Sequence, residues 1–140
     1  MIDPIGAAIK IAGSGLETQS ARLRIVAENL ANAQSTGTTP GSDPYARKTI
    51  SFESELDQTT GVDLVRIKKI GVDNAPYRVE HDPGNPAADS KGFVKFPNVN
   101  LLMEMADLRE ANRSYEANLQ VIKQANSLSS STLDLLRNSS

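Results

Sequence analysis

The side chains best suited to chemistry in this sequence gather in one stretch, where Glu80, His81 and Asp82 lie between Asp73 and Asp89. An imidazole among carboxylates could act as a general base or help to hold a metal ion, and a carboxylate pair could flank a glycosidic bond. The rest of the chain argues against each. One His and no Cys in 140 residues leave no His-based or thiolate metal set, no Cys nucleophile and no disulfide framework. His81 therefore reads as a turn residue ahead of Pro83, and no two carboxylates stand out as an acid/base pair. The chain has no phosphate-binding glycine loop, no G-x-S-x-G and no H-E-x-x-H. The expectation is a protein that is not an enzyme, with no catalytic, cofactor-binding or metal-binding residues and no cofactor.

Charge narrows the partners. Fifteen Lys and Arg against seventeen Asp and Glu give a net charge of −2, without the basic excess that phosphate neutralisation needs. Neither nucleic acid nor a small-molecule substrate is expected. Lys68-Lys69 and Arg47-Lys48 read as solvated basic doublets, offset by Glu53, Glu55 and Asp63. The N-terminus carries Asp3 early and a single Lys in its first fifteen residues, with Gly and Pro breaking its apolar run. A cleavable signal peptide is not expected.

The elements that would position such residues come in three segments. Residues 1–37 form an N-terminal arm in which Ile2, Ile5, Ile9, Ala12, Leu16, Gln19, Leu23, Val26 and Leu30 recur in steps of three and four. This is the narrow apolar stripe of a helix that packs lengthwise on another. Asp3 followed by Pro4 is a helix start signal. Residues 101–140 repeat the device with Leu101, Met105, Leu108, Asn112, Tyr115, Leu119, Ile122, Asn126, Ser129, Leu133 and Leu136. Asn112 and Asn126 would be the buried amides that fix register. Gly13 and Gly15, each about 1 kcal/mol worse than Ala in a helix, and the run from Ser127 to Thr132 make both arms weak alone.

Between them, residues 38–100 hold most of the Pro and five of the six aromatics. Strands are predicted at Lys48–Phe52, Val62–Val72, Tyr77–Val79 and Gly92–Phe96, separated by turn formers such as Pro83-Gly84-Asn85-Pro86. The fold class is α+β: long terminal helices pairing as a coiled coil, with a small β-rich module inserted between them.

Four motifs then point to a family. Ser14-Gly15-Leu16, with Gln19, Leu23 and Ala27-Glu28-Asn29-Leu30-Ala31-Asn32-Ala33, resembles the N-terminal signature of bacterial flagellar axial proteins. Pro97-Asn98-Val99-Asn100-Leu101, followed by Glu104-Met105 and Ala111-Asn112-Arg113-Ser114-Tyr115-Glu116-Ala117-Asn118, resembles their C-terminal one. Asp43-Pro44-Tyr45-Ala46-Arg47-Lys48 and His81-Asp82-Pro83-Gly84-Asn85-Pro86 are similar to the proximal members of the flagellar basal-body rod protein family.

That resemblance implies a structural subunit of the proximal rod, which polymerises through its terminal helices into the drive shaft that transmits motor torque. The implied assembly seam is Ile5, Ile9, Leu16, Leu23, Val26, Leu30, Leu101, Met105, Leu108, Asn112, Tyr115, Leu119 and Ile122. The implied motif residues are Asn29, Asn32, Asn98, Asn100, Arg113, Glu116 and Asn118. Implied partners are other copies of the chain, other rod subunits, the base of the rod at the inner-membrane ring and the flagellar type III export apparatus. The implied location is the basal body, in the rod spanning the periplasm, reached without a cleavable signal. The alternative is a periplasmic peptidoglycan-remodelling factor associated with rod assembly.

Overall fold

The computed structural model describes residues 3–139; Ile2, expected on the N-terminal stripe, lies outside the described residues. Helix α1 spans Pro4–Ala31 and helix α2 spans Leu101–Asn138. Between them lie β1 (Lys48–Leu56), β2 (Asp63–Val72), β3 (Arg78–His81) and β4 (Phe93–Phe96). The protein is thus α+β, with long terminal helices and small antiparallel sheets between.

Local chemistry explains the ends. The Asp3 carboxylate accepts from the Gly6 amide at 2.8 Å and caps α1, with Pro4 at the first helical position. Asn100 caps α2 by accepting from the amides of Leu102 and Met103 at 3.1 and 3.3 Å. α1 gives way to a turn at residues 32–34, where Asn32 donates its side-chain amide to the Glu28 carbonyl at 2.9 Å and accepts from the Ser35 hydroxyl at 3.0 Å.

The strands form two separate two-stranded sheets, β1 with β2 and β3 with β4. The β3–β4 pair is antiparallel, with Arg78 opposite Phe96 and His81 opposite Phe93. His81 is consequently the last residue of a strand and not a turn residue. Its ring meets the edge of Phe93 at 5.1 Å and 69°. The turn formers lie just beyond it, where Asp89 accepts from the amides of Lys91 and Phe93 and Gly92 takes a φ of 85°. A side chain at Gly92 would also come within 2.9 Å of His81.

The chain divides into two compact units, each drawing on both helices and the middle segment. The first comprises described residues of 1–22, 51–68 and 110–140. Its buried apolar residues are Ala12, Ala21, Leu64, Ala111 and Ala125. The second comprises residues 23–50 and 69–109. Ile25, Val26, Ala33, Ala87, Val94 and Val99 are buried there, with Val94 fully enclosed. No described helix is long and apolar enough to cross a membrane.

Candidate functional site: a polar clasp and the helix faces

The largest fully buried side chain of the second unit is a carboxylate. Glu104, in the first turn of α2, has no exposed surface, and Asn29, near the end of α1, keeps only 1% of its own. Burying an ion is unfavourable unless a partner and hydrogen bonds replace its water. Here Arg47 donates its Nε to Glu104, and Asn29 donates Nδ2 at 3.4 Å. The same guanidinium reaches Asp73 at 3.2 Å and Asp107 at 3.7 Å. Partial burial would lower the Arg47 pKa. The hydrogen bonds and charges of Glu104 and Asp73 more than offset this, so it stands above its ordinary value.

Asn29 has every hydrogen-bonding position filled. Its Oδ1 accepts from the Tyr45 hydroxyl at 2.7 Å and from the Lys48 amide at 2.8 Å. Its Nδ2 donates to the Lys48 carbonyl at 2.9 Å as well as to Glu104. The side-chain amide thus pairs with the Lys48 backbone as a neighbouring strand would. Desolvation raises the Tyr45 pKa and keeps its hydroxyl a donor. Asn98 fastens the opposite side, accepting from the Arg47 amide at 2.8 Å and donating to the carbonyls of Asp73 and Ala75 at 3.1 and 2.9 Å. The arrangement consists of hydrogen bonds and ion pairs that join side chains to one another and to the backbone. It is a clasp that ties the end of α1, the start of α2 and the strand ends together.

Arg47-Lys48 is therefore not a solvated doublet. Arg47 serves the clasp and Lys48 pairs with Glu28 at 2.8 Å, because the chain enters β1 directly beneath the end of α1. Asn29 and Asn98 carry the clasp among the expected motif residues, whereas Tyr45, Arg47 and Glu104 were not expected as site residues. The available signal was an acid, Glu104, one turn into a helix between Met103 and Met105.

In the first unit the helices run antiparallel. Arg22 pairs with Glu110 at 3.4 Å, and Gly15 lies so close to Asn118 that an added Cβ would fall 2.5 Å from its amide. Asn118 shares its face of α2 with buried Ala111 and Ala125 at seven-residue intervals. On α1 the buried residues of this unit are likewise small: Ala12, Gly15, Thr18 and Ala21. Small residues let helices approach closely, so the contact inside the chain uses a small-residue face. The expected stripe of larger residues lies beside it.

The expected seam residues divide accordingly. Val26 is buried; Ile5, Ile9, Leu16, Leu23, Leu30, Leu108, Tyr115, Leu119 and Ile122 are half-buried; Leu101, Met105 and Asn112 are exposed. Asn112 and Asn126, expected as buried register amides, are not buried within the single chain. Both are exposed, because α2 is rotated to present Ala111, Asn118 and Ala125 instead. Arg113 and Glu116 are exposed as well. Farther along α2, Leu128, Leu133, Leu135 and Leu136 are all more than half exposed, Leu135 at 72%. As for chemistry, Glu80, His81, Asp82 and Asp89 are exposed, and no three metal-ligating side chains converge among the described residues.

Comparison with known proteins agrees with the motifs at both ends. Residues 9–37 match the family model for flagella basal body rod proteins, and residues 90–135 match that for the C-terminal region of flagellar basal body rod FlgEFG proteins. The flagellar basal-body rod protein FlgC of Agrobacterium fabrum is 66% identical over 97% of this chain and 98% of its own length. The protein of the same name from Escherichia coli is 41% identical over 89% of this chain and 92% of its own. That from Borreliella burgdorferi is 36% identical over 92% and 95%. With such identity along nearly the whole sequence, the chain belongs to the FlgC family of flagellar basal-body rod proteins.

Proposed function

We propose that this chain is a structural subunit of the bacterial flagellar proximal rod, which polymerises through its terminal helices into the shaft that transmits motor torque. The carrying observation is similarity to basal-body rod proteins across 97% of the chain. Large apolar residues left exposed on α2 support it, because a helix face of this kind is stable when a partner covers it. In this reading the arms 1–37 and 101–140 form the inner tube and residues 38–100 lie outside it. Neighbours are copies of this chain, other rod subunits and the base of the rod at the inner-membrane ring. The subunit reaches the periplasm through the flagellar type III apparatus without a cleavable signal, a passage suited to a chain with no Cys. The peptidoglycan-remodelling alternative has no observation in its favour among the described residues.

The seam is Ile5, Ile9, Leu16, Leu23, Val26 and Leu30 on α1, with Leu101, Met105, Leu108, Asn112, Tyr115, Leu119 and Ile122 on α2. Leu23→Asp and Leu119→Asp are expected to abolish rod assembly and swimming while expression and export persist. Normal swimming in both variants would remove the seam from the reading. A deletion strain is expected to build no flagellum.

A further inference from the structure

The β1–β2 leaf is sorted by charge along its two arms. Past Lys48 at its start, β1 with the turn after it holds Glu53, Glu55 and Asp57 and no base, whereas past Asp63 at its start β2 holds Arg66, Lys68 and Lys69 and no acid. One pairing of these charges already operates inside the leaf, where Arg66 meets Glu55 at 3.2 Å. Among the described residues the sheet has two strands, so each has one backbone edge with no strand beside it. Two-stranded leaves are marginal in water, and this one leaves Leu56, Ile70 and Val72 about half exposed. Edges that must stay single are commonly short, carry Pro or carry charge, Lys above all, and a charged edge still admits a strand of opposite charge. Here the strands are nine and ten residues long and contain no Pro.

We propose that a second copy of this chain lays its acidic β1 along the basic edge of β2, so that the leaf continues from one subunit to the next. The inference rests on the reading of the chain as a polymerising subunit. Ladder hydrogen bonds supply the attachment and opposite charges select the partner strand. Because two different edges meet, each copy keeps one edge for the next neighbour, and the contact is heterologous and open-ended. The start of the β2 edge is already occupied in the first unit, where the Val65 amide donates to the Ser14 hydroxyl at 3.2 Å. The docking stretch therefore centres on Lys68, with Glu53 of the neighbouring copy opposite it.

The absence of Cys makes the test direct. Glu53→Cys and Lys68→Cys, carried on separate copies in one flagellated cell, are expected to form a mixed disulfide-linked dimer on oxidation. Neither variant alone should form one. Glu53→Lys and Lys68→Glu are each expected to reduce swimming about tenfold without moving the thermal unfolding of the purified chain. Both reversals in one chain should restore swimming. A double variant no better than the singles would overturn the proposal. Absence of the mixed dimer would also overturn it, even if single reversals stop swimming, because the edge would then meet some other partner. Normal basal bodies in the single-reversal strains would remove only this contact, whereas basal bodies in cells lacking the chain would remove the rod reading itself.

Discussion

A carboxylate with no exposed surface, as at Glu104, is tolerable only while its partners stay in place. Arg47→Met removes the main one and leaves the charge stranded, for an expected loss of about 3–5 kcal/mol in denaturant unfolding. Arg47→Met combined with Glu104→Met should recover most of that loss, since no buried charge then remains. Asn29→Ala is expected to cost about 2 kcal/mol, because the Lys48 amide and carbonyl lose their partner together. At Asp57 the effect is one of pH. Hydrogen bonds from Lys10 and Thr60 hold its carboxyl down at about 2, from an ordinary 3.8. A carboxylate depressed by folding stabilises the fold above its unfolded pKa and ceases to do so as pH falls through the folded one. The turn at residues 57–62 should therefore loosen between pH 3.8 and about 2. Amide exchange at Gly61, which donates to the Asp57 carbonyl at 2.7 Å, reads this directly, and Lys10→Met should move the transition to higher pH.

At the scale of the elements, the two helical glycines part company. Nothing lies within 4 Å of a Cβ built at Gly13, whereas Gly15 is held small by Asn118. Gly13→Ala is expected to stabilise the chain by about 1 kcal/mol, and Gly15→Ala to gain less because Asn118 must move. Gly15→Ala with Asn118→Ala should regain the difference in a thermal melt. The same contact shows what was legible in the sequence and why the rest was hidden. Helix existence, the Asp3 start and the strand positions follow from periodicity and turn chemistry, which are local. β1 runs to Leu56, beyond the expected Phe52, because pairing with β2 carries Glu53 and Glu55 along. The helix face used inside the chain is not the one a heptad count picks out, because large residues dominate such a count, whereas close approach selects Ala, Gly and Asn. The clasp escaped for a similar reason: Arg47 and Glu104 are far apart in sequence, and neither type announces burial.

For the whole molecule, most of the α2 surface beyond Ala125 is exposed, and on the rod reading neighbours would cover it. Trypsin acting on dilute protein is expected to cut early at Arg109 and Arg113, and rod-incorporated protein should resist at both. Intact arms in the dilute chain would show that the helices need no neighbour. The seven-residue recurrence of Ala111, Asn118 and Ala125 has one more consequence. Such a face is nearly self-similar under translation, so apolar packing alone barely distinguishes one alignment of the helices from another a heptad away. Glu104 occupies the next position of the same recurrence and breaks the degeneracy. Sliding α2 by one heptad would offer Arg47 the methyl group of Ala111 and strand the carboxylate elsewhere. The Glu104 carboxylate thus acts as an ionic tooth, added to the Arg22–Glu110 pair and the Gly15–Asn118 contact farther along the same helix.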